Sequence, residues 1–270
     1  MKKNSGLHLL YKRLGETPNQ CLMRFKMHNP EVSALPMTYA GRLDPLAEGL
    51  LLVLSGDEIQ EKNTYLDLKK GYVFEMLWEF STDTHDVLGM VKKNEISIPT
   101  TIEVKKSLEG HTLKFEQKYP AYSSKPVNGL PLLEWARSGR LHEIEIPSHE
   151  VEIFNIEHVA RRHILGVDLL NEVKAKIKSV VGDFRQKEIL NKWVEILVNN
   201  LEKEFIIDQV LMTVSSGFYV RQFVSDFANT FDAKAIAFHI KRNHIGDFHV
   251  DDADRNGFTS SQSSSADAQI

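Results

Sequence analysis

Cysteine is almost absent: Cys21 is the only one in 270 residues. No internal disulfide can form, and no Cys/His spacing resembles a zinc site, so neither covalent staple nor structural metal is expected and Cys21 should be a packed side chain. Long apolar runs are missing as well. None approaches the roughly 18 to 20 residues that a spanning helix needs. Lys2-Lys3 leads into Asn4, Ser5 and Gly6 rather than a secretory apolar segment, so a cytoplasmic protein without membrane contact is expected. There is no basic surplus either. The formal charge of −4 gives no compositional hint of a nucleic-acid partner, whose phosphates usually demand one. Local clusters at Lys69-Lys70, Lys92-Lys93, Arg161-Arg162 and Lys241-Arg242 still leave room for a basic face, while acidic residues gather at Asp251, Asp252 and Asp254. What is present, 42% hydrophobic and 26% charged residues, is the balance of an ordinary globular chain with one sizeable core or two small ones.

Leu7, Leu9, Leu10 and Tyr11 read as a short strand, broken by the loop Lys12 to Pro18 before Cys21 to Met27. The run Leu50 to Leu54, closed by Ser55-Gly56-Asp57, is too short for most helices and predicts a buried strand. Tyr72 to Phe80 predicts another, followed by a structured polar loop from Ser81 to Gly89. Thr100 and Glu103 have capping-box spacing ahead of a helix through Val104 to Leu108, with Gly110 as its stop. From His149 to Val159 charged and apolar residues alternate as in a half-buried strand, and Gln209 to Val214 predicts the last one. Between them, Leu169 to Val181 and Ile189 to Leu201 carry apolar residues at helical spacing on either side of Gly182, which predicts a helical hairpin. Tyr219, Val220, Phe223, Val224 and Phe227 would line one face of a further helix. From Gly257 the Ser-rich end lacks the apolar content that offsets ordering entropy and reads as a disordered tail.

Asp44 sits in a turn between Gly41 and Pro45, just before a buried strand. Taken alone, an Asp before Pro is a turn residue more often than a catalyst. The wider string Gly41-Arg42-Leu43-Asp44-Pro45-Leu46-Ala47-Glu48-Gly49-Leu50-Leu51 closely resembles the catalytic motif of the TruB-type tRNA pseudouridine synthases, which modify the T-loop uridine at tRNA position 55. Four more segments resemble that family in the same order: Gly6 through Pro18; Gly71-Tyr72 with Ser81 to Gly89; Tyr119 to Ser124 continuing through Asn128-Gly129 to Gly139; and Ser215 to Arg221 with Lys241-Arg242 and Gly246-Asp247-Phe248. The departures are Tyr39 where the family usually has a His, Tyr119-Pro120 where it has paired prolines, and a Lys displaced to Lys125.

The resemblance implies an α/β (α+β) pseudouridine synthase catalytic fold, a mixed, largely antiparallel sheet flanked by helices. It would occupy residues 1–250 with a helical insertion at 160–205, a tail at 251–270, and no appended C-terminal RNA-binding domain. The implied partner is tRNA through its T-loop, the implied state a monomer, and the implied cofactor and metal none. Breaking the N1–C1′ bond, turning the base and rejoining it through C5 requires a carboxylate beside the sugar and a dry pocket that retains the base. Asp44 is the candidate, as nucleophile at C1′ or base at C2′. Arg221 would pair it, although without the resemblance Arg221 reads equally as a surface cation. Tyr72 would stack on the uracil near the C5 proton, with Tyr219 and Ile240 as further walls. The target uridine must be extruded. Lys12, Arg42 and Lys241 are candidate phosphate contacts, and Tyr39 a filler of the gap left by the flipped base. His85 with Asp83 and Asp86 reads as a loop satisfying its own backbone rather than as a metal site. Two other readings stay open: a pseudouridine synthase for another RNA, and a non-catalytic module that assists tRNA folding.

Overall fold

The apolar run that ends at Ser55 becomes a strand because it is buried on both faces: every residue from Leu50 to Leu54 is fully enclosed. It lies at the heart of the fold. The computed structural model describes residues 6–109 and 113–255; Gly110 and the Ser-rich end from Gly257 lie outside them. In chain order the elements are β1 (Gly6–Lys12), α1 (Pro18–His28), α2 (Pro30–Ser33), β2 (Met37–Ala40), β3 (Ala47–Ser55), α3 (Lys62–Asp67), β4 (Lys70–Trp78), β5 (Phe80–Thr82), β6 (Val91–Lys93) and α4 (Thr101–Glu109). They continue with β7 (Lys114–Lys118), β8 (Pro126–Val127), β9 (Leu130–Pro131), α5 (Leu132–Arg137), β10 (Ser148–Leu165), α6 (Gly166–Ser179), α7 (Gln186–Leu197), β11 (Glu204–Val214), α8 (Val220–Asn229), β12 (Ala235–Ile245) and β13 (Phe248–His249).

The main sheet runs β1-β3-β12-β4-β11-β10-β7, with β2 beside β3 and β13 beside β12. It is antiparallel except where β12 lies parallel to β3, so the expected mixed, largely antiparallel sheet is present. That one parallel pairing puts Ile240 opposite Ala47 and Arg242 opposite Gly49, while the antiparallel neighbour puts Arg242 opposite Tyr72. Three segments remote in sequence thereby meet just beyond the Asp44 turn.

Strand periodicity sends alternate side chains to opposite faces. On one face Tyr72, Phe74, Met76 and Trp78 of β4 join Val210, Met212 and Ile240 under α8, whose Phe223, Val224 and Phe227 are buried against them. On the other, Leu77, Ile207, Ile236 and Phe238 meet Leu169, Val173 and Ile177 of α6 and Ile189, Trp193 and Leu197 of α7. The expected helical hairpin is therefore a lid over the second face of the sheet. Its boundaries are tighter than 160–205: residues 160–165 continue β10 and pair with Glu204 to Gln209 of β11. The polar end of β10 stays in the sheet because Arg161 donates to Asp208 at 2.9 and 2.6 Å and Arg162 to Glu75 at 3.1 Å. The Thr100–Glu103 capping box is formed, with Glu103 N–H donating to Thr100 Oγ1 at 3.3 Å and Thr100 N–H to Glu103 Oε2 at 2.7 Å. Cys21 is fully buried in a small core with Phe25, Leu51 and Val53. The stretch Cys21 to Met27 lies in helix α1, whose own capping box joins Thr17 and Gln20. No helix among the described residues is long and apolar enough to cross a membrane.

Candidate active site

The turn from Gly41 to Pro45 holds its shape through bonds to main-chain carbonyls. Arg242, fully buried, donates from Nη1 to Arg42 O at 3.2 Å, from Nη2 to Gly41 O at 3.3 Å and from Nε to Leu50 O at 2.8 Å. At the other end Pro45 O accepts from Gly15 N–H at 2.8 Å and from Lys12 Nζ at 3.4 Å. Asp44 O accepts from Ala47 N–H at 3.0 Å as the chain enters β3. Gly41 has φ +83°, a left-handed conformation that a side chain would strain. The carboxylate-bearing turn is thus fixed from both sides before any substrate arrives.

Arg221, at the start of α8, is buried and donates from Nε to Asp44 Oδ2 at 2.7 Å. Its other nitrogens donate to Thr84 O at 2.5 Å and Tyr122 O at 3.3 Å, and Asp86 Oδ2 lies 3.6 Å from Nε. Burial works against its charge, but the Asp44 and Asp86 carboxylates outweigh it and raise its pKa further. Arg221 is permanently cationic and pairs one oxygen of Asp44, whose side chain is 38% exposed and open on one side. Asp86 is different in kind. Burial pushes its carboxyl up to about 6 against the pull of Arg221, while Thr84 Oγ1 and Leu88 N–H donate to Oδ1 at 2.7 and 2.9 Å. The polar loop does satisfy its own backbone, with Asp83 Oδ1 accepting from Met90 N–H at 2.8 Å. Burial, then the Arg221 charge, lowers His85 to about 4, so His85 is neutral.

Asp44 opens into a cleft of two lobes. The larger, of about 550 Å³, is lined by Tyr39, Arg42, Asp44, Tyr72, Tyr219 and Ile240 among others. Six of the nine residues singled out in the sequence meet there, and a seventh, Arg221, lines the smaller lobe with Asp86 and Arg137. Tyr72 and Ile240 are buried walls, and Arg42 is exposed at the mouth. Tyr219 is held by Gln117, which accepts from its N–H at 2.9 Å and donates to its carbonyl at 3.1 Å. Burial and the neighbouring Asp44 charge push its hydroxyl up to about 12, so it remains protonated.

Two expectations need correction. Lys12 is not available to a phosphate: it is wholly buried and its ammonium donates to the carbonyls of Arg13, Glu16 and Pro45. Burial lowers its pKa to about 8. Its place is beneath the Asp44 turn. Lys241 does not line the cleft either. Ile240 and Arg242 do, so strand alternation sends Lys241 to the opposite face, towards Glu48, whose carboxyl is held below the usual range chiefly by the hydrogen bond with His239, then by Tyr11, with the Lys241 charge a smaller contribution. Conversely, sequence reading passed over Arg242 as a clamp, Asp86 as a second carboxylate on Arg221, Gln117, and two residues of the helical hairpin, Phe184 and Arg185, that also line the cleft.

With this geometry in place, comparisons with known proteins bear on it. The model of the TruB family pseudouridylate synthase N-terminal domain matches residues 32–182, more than half of the chain. The tRNA pseudouridine synthase B of Malacoplasma penetrans is 27% identical over 221 residues, covering 80% of this chain and 75% of that protein. The tRNA pseudouridine synthase 4 of Schizosaccharomyces pombe is 26% identical over 305 aligned residues, covering 92% and 74%. Among solved structures, a chain of a Cbf5–Nop10–Gar1 complex superposes with a TM-score of 0.54 at 12% identity over 92% of this chain. That likeness is one of fold, and this chain spans about half of that longer one. The matched span contains the Asp44 turn, Tyr72 and the Asp86 loop, and the chain belongs to the TruB family of pseudouridylate synthases.

Proposed function

We propose that this protein isomerises uridine to pseudouridine in tRNA, at position 55 of the T-loop, with Asp44 as the catalytic carboxylate. The observation that carries the reading is the buried Arg221 paired at 2.7 Å with a half-open Asp44 beside the buried ring of Tyr72. An ionised carboxylate in a water-poor cleft is costly unless paired, and Arg221 pairs one oxygen while leaving the other to meet a ribose. The reaction is balanced within the nucleoside: N1–C1′ breaks, C5–C1′ forms, the C5 proton leaves and N1 takes one up. Asp44 acts at the sugar, attacking C1′ or removing the C2′ proton. Tyr72 stacks on the detached uracil and places its hydroxyl toward C5; Ile240 and Tyr219 close the pocket so that the base stays while it turns.

The uridine reaches Asp44 by leaving its stack, at a cost of a few kcal/mol offset by stacking and phosphate contacts. Arg42, exposed at the cleft mouth, contacts phosphate, and Tyr39 fills the space left by the extruded base. The catalytic domain assigned to residues 1–250 is interrupted by the helical hairpin and works as a cytoplasmic monomer. The test is pseudouridine mapping on an unmodified tRNA transcript with wild type and Asp44→Asn. Product at position 55 with wild type alone is expected. Product at another uridine would replace the target; no product despite tRNA binding would replace the reaction.

A further inference from the structure

The connection between α6 and α7 is built with more care than a turn between two packed helices requires. Those helices already bury Leu169, Val173, Ile177, Ile189, Trp193 and Leu197. Yet the six residues from Val180 to Arg185 are folded into a defined hook. Gln186 Nε2 donates to Val180 O at 3.1 Å and Gly182 O at 2.6 Å, and its Oε1 accepts from Phe184 N–H at 2.8 Å. Arg185 N–H donates to Asp183 Oδ1 at 3.3 Å. Gly182 has φ +115° and Arg185 φ +61°, the latter a sparsely populated conformation for a residue with a side chain. Strain of this kind persists where the surroundings over-determine it, and it concentrates at binding sites.

The hook is also fastened to the catalytic part of the chain. Gly15 approaches the last turn of α6 so closely that a Cβ there would lie 2.3 Å from Ser179 O. Gln20 of α1 donates to Val181 O at 3.4 Å. Arg185 Nη1 donates to Asp83 Oδ2 at 2.8 Å and its guanidinium lies 4.8 Å over the Tyr122 ring. These ties bring Phe184, still partly exposed, to the place where the two lobes join: it lines both, as do Asp44, Pro45, Tyr122 and Leu133. Tyr72, Tyr219 and Ile240 line only the larger lobe.

We propose that Phe184 is a base-stacking residue for the nucleotide next to the extruded uridine, held in position by Arg185, so that the helical hairpin forms part of the RNA-binding cleft. The inference rests on the pseudouridine synthase reading. The uracil occupies the larger lobe against Tyr72, and the ring at the lobe junction meets the neighbouring nucleobase. Every base presents a π-face, so stacking adds affinity without demanding one sequence. Arg185 is a positioning residue that ties the hook to Asp83 and Tyr122.

The test uses the full chain and a stem-loop RNA carrying the target uridine, together with two versions in which the 5′ or the 3′ flanking nucleotide is abasic. Phe184→Ala is expected to raise KM about tenfold, the effect of losing one base–aromatic stack, with kcat within about twofold, and the penalty should vanish on one abasic RNA. Phe184→Leu keeps apolar volume and guards against a folding defect; it should retain the wild-type thermal midpoint and show most of the KM increase. If Phe184→Leu matches wild type in KM, or the Phe184→Ala penalty is the same on all three RNAs, the ring only packs and the inference is overturned. Wild type that binds RNA without forming pseudouridine overturns the reading of the reaction, and this inference with it.

Discussion

Replacing Arg242 by lysine separates holding the Asp44 turn from performing the proposed chemistry. The arginine is fully buried and its three bonds, to Leu50, Arg42 and Gly41 carbonyls at 2.8, 3.2 and 3.3 Å, leave from different nitrogens. Lysine keeps the charge but gathers its donors on one atom, so it serves either the Leu50 carbonyl or the pair at Gly41 and Arg42. One or two buried carbonyls are then unpaired at about 1–3 kcal/mol each. The two longer bonds belong at the low end, which gives a loss of about 2–4 kcal/mol. At roughly 2–4 °C per kcal/mol for a chain of this size, the thermal midpoint should fall by about 5 to 15 °C. The loosened carbonyls lie two and three residues from Asp44, and a displacement of about 1 Å at a reacting group costs on the order of a hundredfold in rate. Single-turnover release of tritium from C5-labelled uridine, at temperatures where the variant is folded, should show that fall in rate with little change in RNA affinity. A lowered midpoint with an unchanged rate would mean that Arg242 supports the sheet and not the position of Asp44.

Tyr72→Phe keeps the ring and loses the hydroxyl, so the rate of C5 proton release should fall by about 10²- to 10⁴-fold with RNA binding unchanged; equal loss of binding would place the hydroxyl in ground-state recognition. Activity should rise with pH through about 6 as Asp86 ionises beside Arg221, and that limb should disappear in Asp86→Asn. The fold does not follow the same course. Burial raises this carboxyl from 3.8 to about 6, so its contribution to stability is full below about 3.8 and is lost as pH rises through about 6; unfolding through this group does not explain an acid loss of activity. A rate–pH profile read beside a thermal melt at each pH checks both. Arg42→Ala should weaken tRNA binding and reduce its salt slope by about 1, whereas Lys12→Met should leave the slope unchanged and lower the thermal midpoint, because Lys12 bonds only carbonyls.

The sequence was legible where burial alone decides the outcome. Leu50 to Leu54 has no polar residue to expose and becomes a fully buried strand; Leu169 to Leu201 repeats at helical spacing and becomes the hairpin. Charged strand ends were harder to read. Arg161 and Arg162 look like a surface cluster until Asp208 and Glu75 arrive from β11 and β4 to pair them, contacts that no local pattern announces. Lys12 and Lys241 failed as phosphate contacts for the same reason. A lysine's fate depends on which face of which strand it occupies, and β12 carries bulges after Ala237 and Arg242 that interrupt its alternation. Asp44, Tyr72 and Arg221 came from an ordered set of motifs. The residues that brace the site, Arg242 at the Asp44 turn and Gln117 on Tyr219, are ordinary polar residues until the sheet brings them together.

The charge that argued against RNA also changes meaning once it is placed. The chain is acidic by −4 overall, yet the lobes around Asp44 are lined by Arg42, Lys70, Arg137, Arg185, Arg221 and Arg242 against only Asp44 and Asp86. These cations divide by exposure. Lys70, Arg221 and Arg242 are buried and spend their donors on protein oxygens, Lys70 on the carbonyls of Leu66 and Leu68 and on Ser216 Oγ. They fix the loops that frame the cleft, and Arg221 pairs the Asp44 carboxylate. Arg185 is half-buried on Asp83, while Arg42 and Arg137 are exposed, the latter 3.8 Å from Glu134, and are the cations a proposed phosphate can reach. Focusing within a cleft depends on the charges that line it and on its low-dielectric walls rather than on the net charge of the chain. A mildly acidic protein can therefore draw a polyanion to a carboxylate, provided that a buried arginine pairs that carboxylate and exposed ones meet the backbone.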